Sequence, residues 1–262
     1  MTDSAAELDL NEHQREIEQM LGRAPVPLCR NSAKSAINYL RRAWRIRELD
    51  PPLALFCCIT AEEEAVRAII HALQRHKYAD AERLKWWNHR QKAVVVPFLQ
   101  AIGVALDGLP VSIQINREGD APRLVTRWLV RMPNGETLDT YPMPPLHAFM
   151  RINGAEPDVS AELVKLVEAN DFAALRKILR DRANERNEWL YASEKGLPGV
   201  SGSIEPEIDR HKGNVFTLLM FFVLIDEHSE VQGLAQQALT AFLRVHDGLY
   251  AAKPGSATAA GE

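Results

Sequence analysis

The stretch "LALFCCITAEEEAVRAIIHALQRHKY", residues 53–78, follows Pro51-Pro52 and changes character halfway along. Its first half is apolar on nearly all sides. Its second half carries Val66, Ile69, Ile70 and Leu73 at the spacing of one helix face. A helix that is apolar all round at one end must be enclosed by others, so this segment reads as the central helix of a bundle.

The segments on either side extend the pattern. "NSAKSAINYLRRAWRIREL" sets Ala33, Ala36, Ile37, Leu40 and Trp44 opposite Arg41, Arg42 and Arg45, with Asn31 or Ser32 able to cap its start. A third helix is expected from near Asp80, with Leu84, Trp87, Val94, Phe98 and Ile102 on one stripe and a kink at Pro97. The period then changes: "VSIQI" alternates, "LVTRWLVRM" follows, and Pro133-Asn134-Gly135 supplies a hairpin turn before "ETLDTY".

Helical periodicity returns in "DVSAELVKLVEA" and in "DFAALRKILRDRANERNEWLYAS", where Phe172, Leu175, Leu179 and Leu190 mark the buried stripe. After the Gly/Pro/Ser-rich loop "EKGLPGVSGSIEP" come an apolar helix around Phe216 to Ile225 and a last helix starting at Ser229, where Ser229 and Gln232 suit a capping box. The expected fold class is mainly α (α+β), a helical bundle with a small inserted three-stranded antiparallel β-meander at about 106–145 and extra C-terminal helices. Residues 1–29 read as an N-terminal helical extension, 30–252 as one domain and 253–262 as a disordered tail.

Composition narrows the function classes. The chain has 262 residues, 46% hydrophobic and 25% charged, which is enough to build a sizeable core. Cys29, Cys57 and Cys58 form no CxxC, so neither a disulfide framework nor a metal site is expected, and a cytoplasmic location fits. The N-terminus lacks the pattern of a signal peptide, and the longest apolar run, Val215 to Ile225, is too short to span a bilayer, so no membrane association is expected. The net charge is −4, yet Arg30 to Lys92 holds thirteen Lys and Arg against seven Asp and Glu. That segment offers either a basic face for phosphates or a solvated helix surface.

Three polar clusters interrupt the apolar helices. The first is Glu62, Glu63, Glu64 and Arg67, in which Glu63 and Arg67 have the favourable acid-first i,i+4 order of a helix ion pair. The second is Trp86, Trp87, His89 and Lys92, basic and aromatic residues interleaved as RNA contacts often are, although Trp87 also suits the apolar stripe. The third is Arg186, Asn187 and Tyr191; here Arg186 continues the spacing of a buried stripe and requires acceptors, which a network joining helices or subunits would supply. No P-loop, GxGxxG, GxSxG elbow, His-Glu-x-x-His or Glu-x-x-His motif is present, and no cofactor is expected.

Taken in order, these clusters resemble the HEPN superfamily of bacterial defence and toxin proteins and, within it, the abortive-infection AbiV family. The resemblance rests on Ala33, Ala36, Tyr39, Leu40 and Ala43; on Glu63, Glu64 and Arg67, where the family usually has Lys; on His89 and Lys92; and on Arg186, Leu190 and Tyr191. It covers roughly 30–102 and 172–206. It implies a HEPN-like up-and-down helical bundle, usually a homodimer, with the Arg-containing motif near the subunit interface. Many members are metal-independent ribonucleases with an Arg-x(4 to 6)-His motif, in which His moves the proton of the ribose 2′-OH and Arg stabilises charge on the phosphate.

Here the fifth residue after Arg186 is Tyr191, and a phenol with a reference pKa of about 10 is a poor base at neutral pH. His89, on another helix, is the candidate substitute. The leading expectation is a phage-defence protein that binds a phage or host component, linked to RNA or the translation apparatus. A metal-independent ribonuclease using Arg186, Asn187, Tyr191 and His89 is the alternative, with Glu63, Glu64, Arg67, Trp86 and Lys92 as binding residues. A helical scaffold or ligand sensor is the third.

Overall fold

A computed structural model describes residues 7–106, 111–132, 134–147 and 202–250. The described chain is mainly helical, with one small antiparallel sheet. The helices expected between 158 and 193, including Arg186, Asn187 and Tyr191, and the tail at 253–262 lie outside the described residues.

The central helix is as expected. We label the N-terminal helices α1 (Glu12–Leu21), α2 (Pro27–Ile46) and α3 (Pro51–Arg75). At the start of α3, Pro51 and Pro52 occupy the first turn, where no N–H is needed, and the Asp50 carboxylate accepts from the Leu53 N–H at 3.0 Å. Ala61, Ala65, Ala68 and Ala72 are completely buried on α3, as are Ala33, Ala36, Leu40 and Ala43 on α2. Small side chains let helix axes approach closely, and α3 packs extensively against α2.

Helix α2 begins earlier than expected. Pro27 supplies its first position and the Val26 carbonyl accepts from the Arg30 N–H at 3.0 Å, so Ser32 is a buried interior residue and not a cap. Helix α1 carries its own capping box, with the Asn11 side chain accepting from the Gln14 N–H at 2.9 Å and the Gln14 side chain from the Asn11 N–H at 3.1 Å. It buries Ile17, Met20 and Leu21 in the common core.

The segment after α3 departs most from expectation. In place of one helix from Asp80 there is a 3₁₀ turn (Ala81–Arg83), a loop through Asn88, and then α4 (His89–Leu106), with Pro97 inside the helix. The cause is local: the Asn88 side chain accepts from the Gln91 N–H at 3.2 Å and caps the new helix. Trp87 therefore leaves the expected apolar stripe and is exposed, whereas Leu84, Val94 and Phe98 remain buried.

The meander is as expected: β1 (Val111–Asn116), β2 (Arg123–Arg131) and β3 (Thr137–Thr140) pair antiparallel in sequence order. Val111 stands opposite Trp128 and Trp128 opposite Thr140. At the second hairpin, Gly135 has φ +84°, a conformation that glycine adopts without steric cost. Arg117 forks onto Glu16 of α1 at 2.7 and 2.9 Å, tying the sheet to the bundle.

Two helices close the described chain, α5 (Glu205–Asp226) and α6 (Gly233–Tyr250). No helix among the described residues is long and apolar enough to cross a membrane. The capping box expected at Ser229 and Gln232 does not form. Gln232 is fully buried, accepting from the Leu146 N–H and donating to the Leu224 carbonyl, both at 2.7 Å, and α6 starts after it. Buried backbone groups need partners, and this amide supplies two.

Candidate functional site

Successive residues of an α-helix point about 100° apart, so three glutamates in a row must meet three different environments. Glu62 turns toward α5. One of its carboxylate oxygens accepts from His211 Nδ1 and from Asn214 Nδ2, each at 2.7 Å, and all three residues are buried or half-buried. His211 Nε2 in turn meets the Arg210 guanidinium at 3.2 Å, and Gln100 of α4 donates to Asn214 at 3.2 Å. This polar seam joins α3 and α5 in the interior and reaches α4 at the surface.

Glu63 turns toward α4 and does not pair with Arg67 as expected. Its carboxylate meets His89 Nδ1 at 2.7 and 2.9 Å and accepts from Lys92 Nζ at 2.9 Å. The Lys92 side chain is only 5% exposed, and a buried ammonium requires an anion; among the described residues Glu63 supplies it. A carboxylate can only accept, so Nδ1 of His89 carries a proton, and in the neutral imidazole Nε2 is the acceptor. The His89 side chain is 52% exposed. The result is an imidazole oriented by a half-buried carboxylate and open to solvent.

Arg67 pairs instead with Glu64 at 3.5 Å and lies over the Trp86 ring, 4.5 Å from its centroid. His71, one turn further along α3, meets Trp86 at 5.8 Å and Arg67 at 3.4 Å. Burial, followed by the nearby Arg67 charge, pushes the His71 pKa below its ordinary value. Glu63, Arg67 and His71 thus form one stripe at i,i+4 spacing, against which Trp86, His89 and Lys92 are packed.

The structure therefore brings together Glu63, Glu64, Arg67, Trp86, His89 and Lys92, which the sequence offers as two separate clusters 26 residues apart. Arg186, Asn187 and Tyr191 lie outside the described residues. His211 and Asn214 were not singled out from sequence, although two polar residues three apart at the head of an apolar helix are a visible signal. Among the described residues no group of three or more His, Cys, Asp or Glu is placed to hold a metal. The buried Cys29 thiol is pushed up to about 11, chiefly by burial, which suits a packing residue and not a nucleophile.

No protein-family model matches the chain, and no match to it was found among curated proteins or solved structures.

Proposed function

We propose that this chain is an AbiV-like, HEPN-type protein of phage defence that acts in the cytoplasm as a homodimer by binding a phage or host component linked to RNA or translation. The observation that supports this reading is the convergence of the acid pair on α3 with the His-x-x-Lys of α4: one carboxylate, Glu63, holds both His89 and Lys92. In the resemblance these are successive motifs, and a shared contact gives their order in the chain a physical purpose.

A second reading, a metal-independent ribonuclease, is favoured by the exposed imidazole of His89. With Nδ1–H fixed on Glu63, Nε2 has the tautomer and orientation of a general base for a ribose 2′-OH. Arg186 would then stabilise charge on the phosphate.

The test is to sequence RNA 5′ ends in cells expressing wild type, Arg186→Ala or His89→Ala, with each fold checked by circular dichroism. Intact RNA alongside wild-type phage resistance supports the binding reading. Discrete cuts that vanish in both variants support the ribonuclease, whereas cuts that persist in His89→Ala rule that residue out as the base. A wild type without effect on phage or growth removes the defence reading.

A further inference from the structure

The loop between α3 and α4 presents a side chain that neither the bundle nor the Glu63 cluster uses. Trp87 is 57% exposed, the most open tryptophan among the described residues. Its ring is nevertheless held: Trp86 meets it edge-on, with centroids 5.3 Å apart at 88°, and Trp86 is itself fixed by Arg67 and His71. The supporting backbone is stitched from both flanking helices. Gln74 donates to the carbonyls of Ala81 and Leu84, and Gln91 accepts from the Lys85 N–H at 2.6 Å. A fixed, exposed ring is preorganised for stacking, because little freedom remains to be lost on binding.

Two lysines and one glutamate stand beside the ring. Trp87 borders a surface depression of about 520 Å³ that is also lined by Lys77, Lys85 and Glu82. The Lys85 ammonium lies 5.7 Å from the Trp87 centroid and donates to the Glu82 carbonyl at 2.7 Å.

Lys77 adds an independent observation. It ends α3 in a Schellman motif, with its own N–H donating to the Gln74 carbonyl at 3.2 Å and the Tyr78 N–H to the Leu73 carbonyl at 3.1 Å. It does so at φ +57°, in the position where glycine is usual and a lysine is strained. Its exposed side chain makes no hydrogen bond or ion pair among the described residues that would offset that strain.

We infer that Trp87 is a stacking platform for an unpaired base of single-stranded RNA, with Lys77 and Lys85 placed to meet the flanking phosphates. The inference rests on the RNA-linked part of the proposed function and names the form of RNA taken. A base in a duplex has no open face for the ring, and the ammonium groups of Lys77 and Lys85 disfavour a cationic ligand.

The test uses the full chain and a short, unstructured, fluorescein-labelled single-stranded RNA, read by anisotropy at two salt concentrations. Trp87→Ala is expected to weaken binding about tenfold at an unchanged melting temperature. Lys77→Gly is expected to raise the melting temperature while weakening binding and flattening its salt dependence, opposite signs that a purely structural lysine would not give. The duplex of the same sequence is expected to bind more weakly. Equal affinity of wild type and Trp87→Ala for the single strand overturns the platform and leaves the RNA reading standing, as does equal binding of duplex and single strand. No binding of either RNA by wild type overturns both and leaves the ring to a protein partner.

Discussion

On α3 two consecutive glutamates hold an imidazole each, through the same carboxylate-to-Nδ1 contact at 2.7 Å, yet their surroundings differ in every other respect. Glu62 faces α5, where His211 is buried and its second nitrogen is engaged by Arg210. Glu63 faces the start of α4, where His89 is exposed and only the carboxylate and Lys92 are enclosed. The pairing chemistry is shared, so solvent access separates the two roles. Both pairs join helices, but only the open one also presents a nitrogen to whatever approaches.

The comparison breaks most severely if Glu62 is removed. Glu62→Ala leaves His211 and Asn214 without their acceptor inside the bundle, and removing one partner of a buried pair typically costs about 3 kcal/mol or more. Urea unfolding followed by circular dichroism measures this. A loss under about 1 kcal/mol would mean that the seam finds other acceptors and is not a lock.

On the open side the expected loss is smaller, about 2 kcal/mol for Glu63→Ala, and it arises mostly from Lys92, whose ammonium would be stranded in the interior. The double variant Glu63→Ala/Lys92→Met should therefore recover much of that loss, because the uncompensated charge goes with the carboxylate. Additive losses in the double-mutant cycle would place the effect in packing and not in the ion pair.

How far the sequence carries is uneven, for reasons visible in these same elements. The central position of α3, the buried alanines of α2 and the three strands were legible because periodicity reports which face is enclosed. The start of α4 was misread because a stripe through Leu84, Trp87 and Val94 fits an uninterrupted helix; the competing signal, Asn88 followed three residues later by Gln91, is a cap signature and prevailed. Gln232 was misread in the opposite sense, since its spacing from Ser229 suits a capping box while its amide satisfies Leu146 and Leu224 from other parts of the chain. The contacts of Glu63 with His89 and Lys92, and of Glu62 with His211, join distant segments, and a helical period specifies a face but not what packs against it.

Acid should sharpen the contrast on the open side. The His71 pKa is lowered by burial and by Arg67, and those of His76, His228 and His246 are lowered chiefly by burial. The unfolded chain therefore binds their protons more readily than the folded one. Their contribution to stability is complete above the ordinary value of 6.5 and is lost as pH falls through the lowered values. Asp226 and Glu227, pushed up by burial, act in the opposite sense, so the informative quantity is a difference. Between pH values of about 7 and 5, the melting temperature of His71→Gln should fall less than that of wild type. Parallel curves would mean that protonated His71 is accommodated beside Arg67 and Trp86.

The smallest structural effect is expected at His89, where the comparison bears on function. His89→Ala removes an exposed partner from Glu63 but leaves Lys92 in place, so the stability change should stay within about 0.5–1 kcal/mol. His211→Ala removes a buried partner of Glu62 and should approach the cost of losing the seam. A His89 variant that folds as wild type yet loses phage resistance or RNA cleavage would assign the exposed imidazole a role beyond support. If instead both histidine variants lose stability equally, solvent access does not separate the two pairs, and the open side of α3 is as much a part of the scaffold as the closed one.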